Sequence, residues 1–193
     1  MIDILKQFNW LDIFLVVVFL RICYVSLKRG LTIEFFKFIG ILLSVYLSFQ
    51  YYTSLSNFLH SVAFVEATPL GFLKFICFLI LAFSGYFLLV ALRRLFTLLI
   101  KIEDVPGVIN RWAGFLLGLL RGVLTVSFIL FALFISSNEY LRGSVQGSLV
   151  AKPVFQIAPL AYRGIWDSII SKFSPDQGLN GDVLSIEAQV RNR

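Results

Sequence analysis

The sequence predicts an all-α integral membrane protein with four transmembrane helices, a C-terminal amphipathic helix and a disordered tail. Three observations lead there. Four apolar runs, near 10–27, 31–49, 70–92 and 113–135, are each long enough for a bilayer crossing, which takes about 20 mostly apolar residues. Mean hydropathy is +0.87 and 59% of residues are hydrophobic, outside the range of soluble domains. The runs do not alternate: Val16-Val17-Val18-Phe19 and Phe78-Leu79-Ile80-Leu81 lack the two-residue period of a membrane barrel.

The elements follow in chain order. Residues Met1–Asn9 read as a short amphipathic lead-in, with Trp10 at interface depth. The first run ends at Lys28-Arg29-Gly30, a tight basic turn, and the second begins at once, so helices 1 and 2 are expected to form an antiparallel hairpin. Gln50-Tyr51-Tyr52 reads as an aromatic belt closing helix 2. An outer loop is expected from Thr53 to Pro69, with room for a short interfacial helix over Leu55–Val65. Helix 3 starts after Pro69, where Lys74 can snorkel to the surface. It can continue past Arg93-Arg94 into an amphipathic stretch ending at Glu103-Asp104. Pro106-Gly107 turns the chain into helix 4. The domain division is therefore 1–136 for the membrane bundle, 137–173 for an extracytoplasmic amphipathic segment and 174–193 for a disordered polar tail. In the second part, Leu160, Ile165, Trp166, Ile169, Ile170 and Phe173 oppose Arg163, Asp167, Ser168, Ser171 and Lys172. Such a helix lies on the outer membrane surface or packs on the bundle.

Charge placement gives an orientation. The net charge is +6, but the bases sit at helix ends and form no dense patch, which argues against nucleic acid as a partner. Lys28 and Arg29 follow the first run; Arg93, Arg94, Lys101 and Arg111 separate the third and fourth; Tyr51–Pro69 holds no Lys or Arg. Short loops rich in Lys and Arg stay cytoplasmic, so the 1–2 and 3–4 loops are expected inside and both termini outside. The start is a weak n-region without a small-x-small cleavage site, so the first run is expected to stay as a helix. Cys23 and Cys77 fall at different depths, and a bond between them is not expected.

The candidate functional residues are few. Gly114, Gly118 and Gly122 recur every four residues and make a flat groove on helix 4; Gly40, Ser44 and Ser48 make a similar stripe on helix 2. Lipid supplies no hydrophobic drive between helices, so close backbone approach matters. Two readings stand: packing of helices 2 and 4 within the chain, or a homo-oligomer seam. Arg121 lies about 12 Å into helix 4 at 1.5 Å per residue. An arginine at that depth costs about 2.5–3.5 kcal/mol on insertion scales and needs protein, water or a snorkelling route. Glu34 is its best acidic partner by depth, and Arg21 is expected to face Glu34 across the hairpin, leaving a surplus positive charge. Asp12, near the other end of helix 1, reads as a helix-end anchor or a titrating group. The only histidine is His60, in the predicted outer loop, so no His/Cys metal set and no Ser-His-Asp triad can be assembled. Neither a catalytic residue nor a cofactor is expected.

Three segments carry a family resemblance. They are Asn9-Trp10-Leu11-Asp12, then Lys28-Arg29-Gly30-Leu31-Thr32-Ile33-Glu34-Phe35-Phe36 with Gly40 following, and Asn110-Arg111-Trp112-Ala113-Gly114-Phe115-Leu116-Leu117-Gly118-Leu119-Leu120-Arg121-Gly122. In order and spacing, over about residues 1–150, the chain resembles the colicin V production family of bacterial inner-membrane proteins. The resemblance implies a four-helix membrane domain, a role linked to colicin V production or export, and envelope-stress and biofilm phenotypes. Relatives with a protease fused after the spans place it outside the cytoplasm, in agreement with the charge-based orientation; the tail here is too short to be one. The chain departs from the family pattern at Arg21. Two functions are weighed: a non-enzymatic protein acting through helix–helix contacts with membrane proteins or a second copy, and a small transporter or channel component using Arg21, Glu34 and Arg121.

Overall fold

The computed structural model describes residues 9–62, 69–99, 107–136, 138–174 and 177–191. Four long helices dominate: α1 (Trp10–Arg29), α2 (Leu31–Val62), α3 (Leu70–Leu99) and α4 (Gly107–Ile135). All four are long and apolar enough to cross a membrane, and the described residues contain no strand. The helices outrun the apolar runs because hydropathy marks the lipid-buried part and not where the backbone stops. Between Thr53 and Val62 there is no Gly or Pro, so α2 continues through much of the expected loop; its 32 residues span about 48 Å. α4 likewise begins at Gly107, six residues before the apolar run. α3 passes Arg93 and Arg94 and is described to Leu99. The lead-in over 1–8, the Glu103-Asp104 end of the amphipathic stretch and Pro106 lie outside the described residues.

Side-chain size decides which helices meet. α1 packs chiefly on α4 and only sparsely on α2, so the expected α1–α2 hairpin is a connection through Gly30 without a shared face. Gly30 holds φ +76°, a left-handed conformation that glycine adopts without steric cost. α2 packs on α3 and α4. On the α2–α3 contact, Ser44 backs onto Gly85, where an added Cβ would come within 2.8 Å of the Ser44 Cα. Ser48 Oγ donates to the Phe78 carbonyl at 3.3 Å. Where the glycine and serine stripes end, aromatic rings fill the interior. Phe49 and Phe131 have centroids 4.4 Å apart, Phe78 and Phe128 4.8 Å, and Phe155 joins them from outside the bundle.

That outside element is a helical cap. It comprises α5 (Glu139–Gln146), α6 (Ala151–Val154), α7 (Ile157–Ile165), a π-helical stretch Trp166–Ile170, α8 (Ser171–Phe173) and α9 (Gly181–Arg191). Ser127 of α4 accepts from Ala158 N–H at 2.8 Å and donates to the Phe155 carbonyl at 2.9 Å. The amphipathic segment thus packs on the bundle, through Ala158, Pro159, Tyr162 and Trp166. Leu160, Ile169 and Phe173, expected on its apolar side, are exposed.

The tail needs correction. Residues expected to be disordered form α9, with Val183 fully buried. Its polarity is spent on specific partners. Asn180 donates through Nδ2 to the Phe49 carbonyl at 2.7 Å and lies 2.9 Å from Thr53 Oγ1. The Tyr162 hydroxyl donates to Gln50 and accepts from Asn180 N–H; burial pushes this phenol above its ordinary value. Lys74, expected to snorkel, pairs with Asp182 at 2.5 Å, and Arg163 pairs with Glu187 at 2.5 Å.

Asp12 anchors the cap to α1. Its carboxylate is fully buried and accepts from Ser148 Oγ, Val150 N–H and Asn9 N–H. It is therefore an anchor, to protein and not to headgroups. Asp12→Ala leaves these donors without their acceptor. The lost stabilisation is expected to be at least about 1.5 kcal/mol, the low end for hydrogen bonds to a charged group. Faster proteolysis within 139–154, with the four long helices retained, is the expected readout; an unchanged cleavage rate refutes the anchor.

Candidate functional site: a buried ion cluster joining three helices

The cluster is built from the glycine spacing upward. Gly114, Gly118 and Gly122 lie along one face of α4, and α1 runs antiparallel across them. A Cβ on Gly122 would meet Phe19, one on Gly118 would meet Ser26, and one on Gly114 would meet the backbone of Gly30 and Leu31. The stripe therefore seats α1 and the α1–α2 turn, not α2 as the sequence reading paired it. The second stripe, with Gly40 against Tyr86 and Leu89 and Ser44 against Gly85, seats α3. Asn110 closes the turn: its Oδ1 accepts from Leu31 N–H, the first amide of α2.

Starting α2 at that turn puts Glu34 one turn into the bundle, level with Ser26 on α1. Arg121 reaches back from α4, and its Nη2 stands 2.7 Å from Glu34 Oε2. Lys37, one turn further along α2, brings Nζ to 2.6 Å from Glu34 Oε1. Both carboxylate oxygens are thus paired. Side-chain exposure is 0% for Glu34, 9% for Lys37 and 13% for Arg121. Ser26 Oγ lies 2.7 Å from the Ile22 carbonyl and 3.1 Å from Glu34 Oε2, so its single hydrogen serves one of them at a time. It also accepts from Arg121 Nη2 at 3.4 Å. Arg121 Nε is buried with no acceptor among the described residues.

Two cations share one carboxylate, a net charge of +1 with all three ionised. Each alone would be costly inside a membrane protein, and mutual pairing lowers that cost. The cluster fastens α1, α2 and α4 at one level.

Glu34 and Arg121 meet as their depths predict, and the surplus cation is present, but it is Lys37. Arg21 is exposed on α1 and makes no described contact with Glu34. The missed signal was the three-residue step from Glu34 to Lys37, which places both on one helix face. Ser26, Asn110 and Gly85 were also missed, because only the pairing of helices reveals what each touches. Arg111 is exposed near the start of α4 and Gly40 is buried. Cys23 and Cys77 are both free and buried. No three His, Cys, Asp or Glu side chains gather as a metal-holding group among the described residues.

These elements coincide with the segments that carried the resemblance, and the family model described as Colicin V production protein matches residues 11–159. The chain belongs to the colicin V production protein family. No curated protein and no solved structure matches the chain. The match takes in all four spans, the cluster, α5, α6 and the start of α7; most of α7 and all of α9 lie beyond it. Membership in the colicin V production family supports a role in colicin V production for this multi-pass membrane protein.

Proposed function

We propose that the protein is a non-enzymatic component of the bacterial inner membrane that supports colicin V production and export, and envelope homeostasis, through helix–helix contacts with other membrane proteins. The observation that carries this reading is the closed cluster. Glu34, Lys37 and Arg121 are spent on one another and hold three helices in register, as a rigid scaffold requires. The orientation consistent with it puts the Gly30 turn and the α3–α4 connection inside, by their Lys and Arg content, and the cap outside. In the transporter reading, Arg21, Glu34 and Arg121 line one wet path. Arg21 stands apart from the other two, which weighs against it.

In-cell cross-linking followed by purification in a mild, lipid-preserving detergent and native mass determination tests the proposal. A stoichiometric complex with another membrane protein is expected. A lone monomer, or a homo-oligomer without further subunits, overturns it and makes flux assays on Glu34 and Arg121 variants the next step.

A further inference from the structure

α1 has two unlike sides. Asp12, Leu15, Cys23 and Ser26 are buried, while Ile13, Val17, Leu20 and Tyr24 are about three-fifths exposed. Arg21 belongs to the exposed side. At about 100° per residue it lies about 140° around the helix from Ser26. It makes no hydrogen bond or ion pair among the described residues.

Its depth makes that position unfavourable in lipid. Arg21 is about 16 Å along the helix from Trp10 and about 12 Å from Arg29, at 1.5 Å per residue. Helical side chains lean toward the helix N-terminus, so Arg21 leans toward the farther, Trp10 end and away from the nearer interface. Lys28, by contrast, sits at the helix end with its ammonium 4.4 Å from the Tyr24 ring centroid. An intramembrane arginine needs a counter-charge or a polar path, and the described residues of the chain supply no counter-charge to it.

A second copy would not supply it either. Of the eleven acidic residues only Asp12 and Glu34 fall within the four spans. Both are fully buried and already partnered. Two copies meeting on this face would set Arg21 against Arg21.

We infer that the exposed face of α1 docks a transmembrane helix of another protein that carries a carboxylate at mid-membrane depth, paired with Arg21. This rests on the reading of the protein as a scaffold acting through helix contacts, and names the face and the partner's chemistry. Ile13, Val17, Leu20 and Tyr24 supply the packing surface; Arg21 supplies depth and selectivity.

Full-length protein in phosphatidylcholine vesicles, paired by energy transfer with a poly-leucine transmembrane peptide bearing one central glutamate, tests the inference. Peptides with central glutamine or leucine are the comparison. Association with the glutamate peptide is expected to be at least about tenfold stronger than with the leucine peptide. Arg21→Leu should erase that preference without lowering the melting temperature, since Arg21 makes no hydrogen bond or ion pair among the described residues, and Arg21→Lys should keep most of it. Equal association of the glutamate and leucine peptides overturns the inference. So does loss of the preference when phosphatidylglycerol is added, which makes lipid phosphate the occupant, or self-association that Arg21→Leu weakens, which makes it a second copy. A cellular complex that survives Arg21→Leu defeats this inference alone; absence of any complex in cells defeats the scaffold reading.

Discussion

Replacing Glu34 with leucine is expected to destabilise the protein by about 3–5 kcal/mol, the range for breaking a buried ion pair by removing one partner. The reason is the asymmetry of the cluster. Lys37 and Arg121 have no other carboxylate within salt-bridge distance among the described residues. Without Glu34, two nearly buried cations face each other. The loss is a large part of the 5–15 kcal/mol that a folded domain typically holds. Lys37→Leu alone is expected to cost less, because Glu34 keeps Arg121. Leucine at all three positions should recover most of the stability, since replacing a whole buried ionic group by packed apolar side chains is often neutral or favourable. Thermal unfolding in detergent, followed by the fraction surviving size exclusion, measures the series. A Glu34→Leu protein that unfolds within about 1 kcal/mol of the parent, as exposed ion pairs would allow, shows that the cluster does not hold the helices together. Should Arg121→Leu abolish activity in cells while Glu34→Leu spares both fold and activity, the scaffold role of the cluster is wrong.

The second large effect is expected at Gly118. A Cβ there would lie 2.1 Å from Ser26 Oγ and 2.2 Å from Ser26 Cβ, with the Ser26 Cα next at 3.8 Å. The first two distances are far inside contact, and the Cβ of a helical residue cannot swing away. Gly118→Leu must therefore push α1 off α4 and strip Ser26 from the Glu34 cluster. A cost of about 3 kcal/mol, the upper end for overpacking, is expected. Gly118→Ala carries the same first clash with less bulk. Adding Ser26→Gly removes both offending atoms and leaves the 3.8 Å contact, so the double variant should be more stable than the sum of the two single changes. Ser26→Gly itself loses a polar contact with Glu34 and adds a helical glycine, at about 1 kcal/mol for the latter. Gly164 has nothing within 4 Å of an added Cβ and serves as the neutral control. The same variant separates the two readings of the stripe. A seam between copies would lose its oligomer and keep its monomer melting temperature; a seam within the chain loses the melting temperature.

Much of the architecture follows from composition because lipid leaves few options. Backbone amides inside a bilayer must be satisfied within their own segment, so a long apolar run has to be helical whatever surrounds it. That is why the four spans are legible along the chain, and why the long helices contain them. Depth is legible too. Counting 1.5 Å per residue puts Arg121 about 12 Å and Glu34 about one turn in from the same side, a gap the long arginine side chain can span, and they pair at 2.7 Å.

Azimuth is a different matter. The two stripes of small residues can be matched in several ways, since each offers the same flat surface to any neighbour. Only the assembled bundle sets Gly118 against Ser26 and Gly85 against Ser44, and leaves Arg21 outside with Lys37 in the place expected for it. The tail is the clearest divergence. Its polarity reads as disorder when the chain is taken alone, because it cannot bury enough apolar area to offset its own ordering. Asn180, Asp182 and Glu187 instead find Phe49, Lys74 and Arg163 on elements 24 to 131 residues away in sequence. Local sequence thus determined which segments are long and apolar enough to cross a membrane, that they are helical, and roughly how far along each its charges lie, because those depend on solvent and backbone. Which faces meet, which charge closes the cluster and whether the tail folds depend on contacts between distant segments, and those the tertiary structure decided.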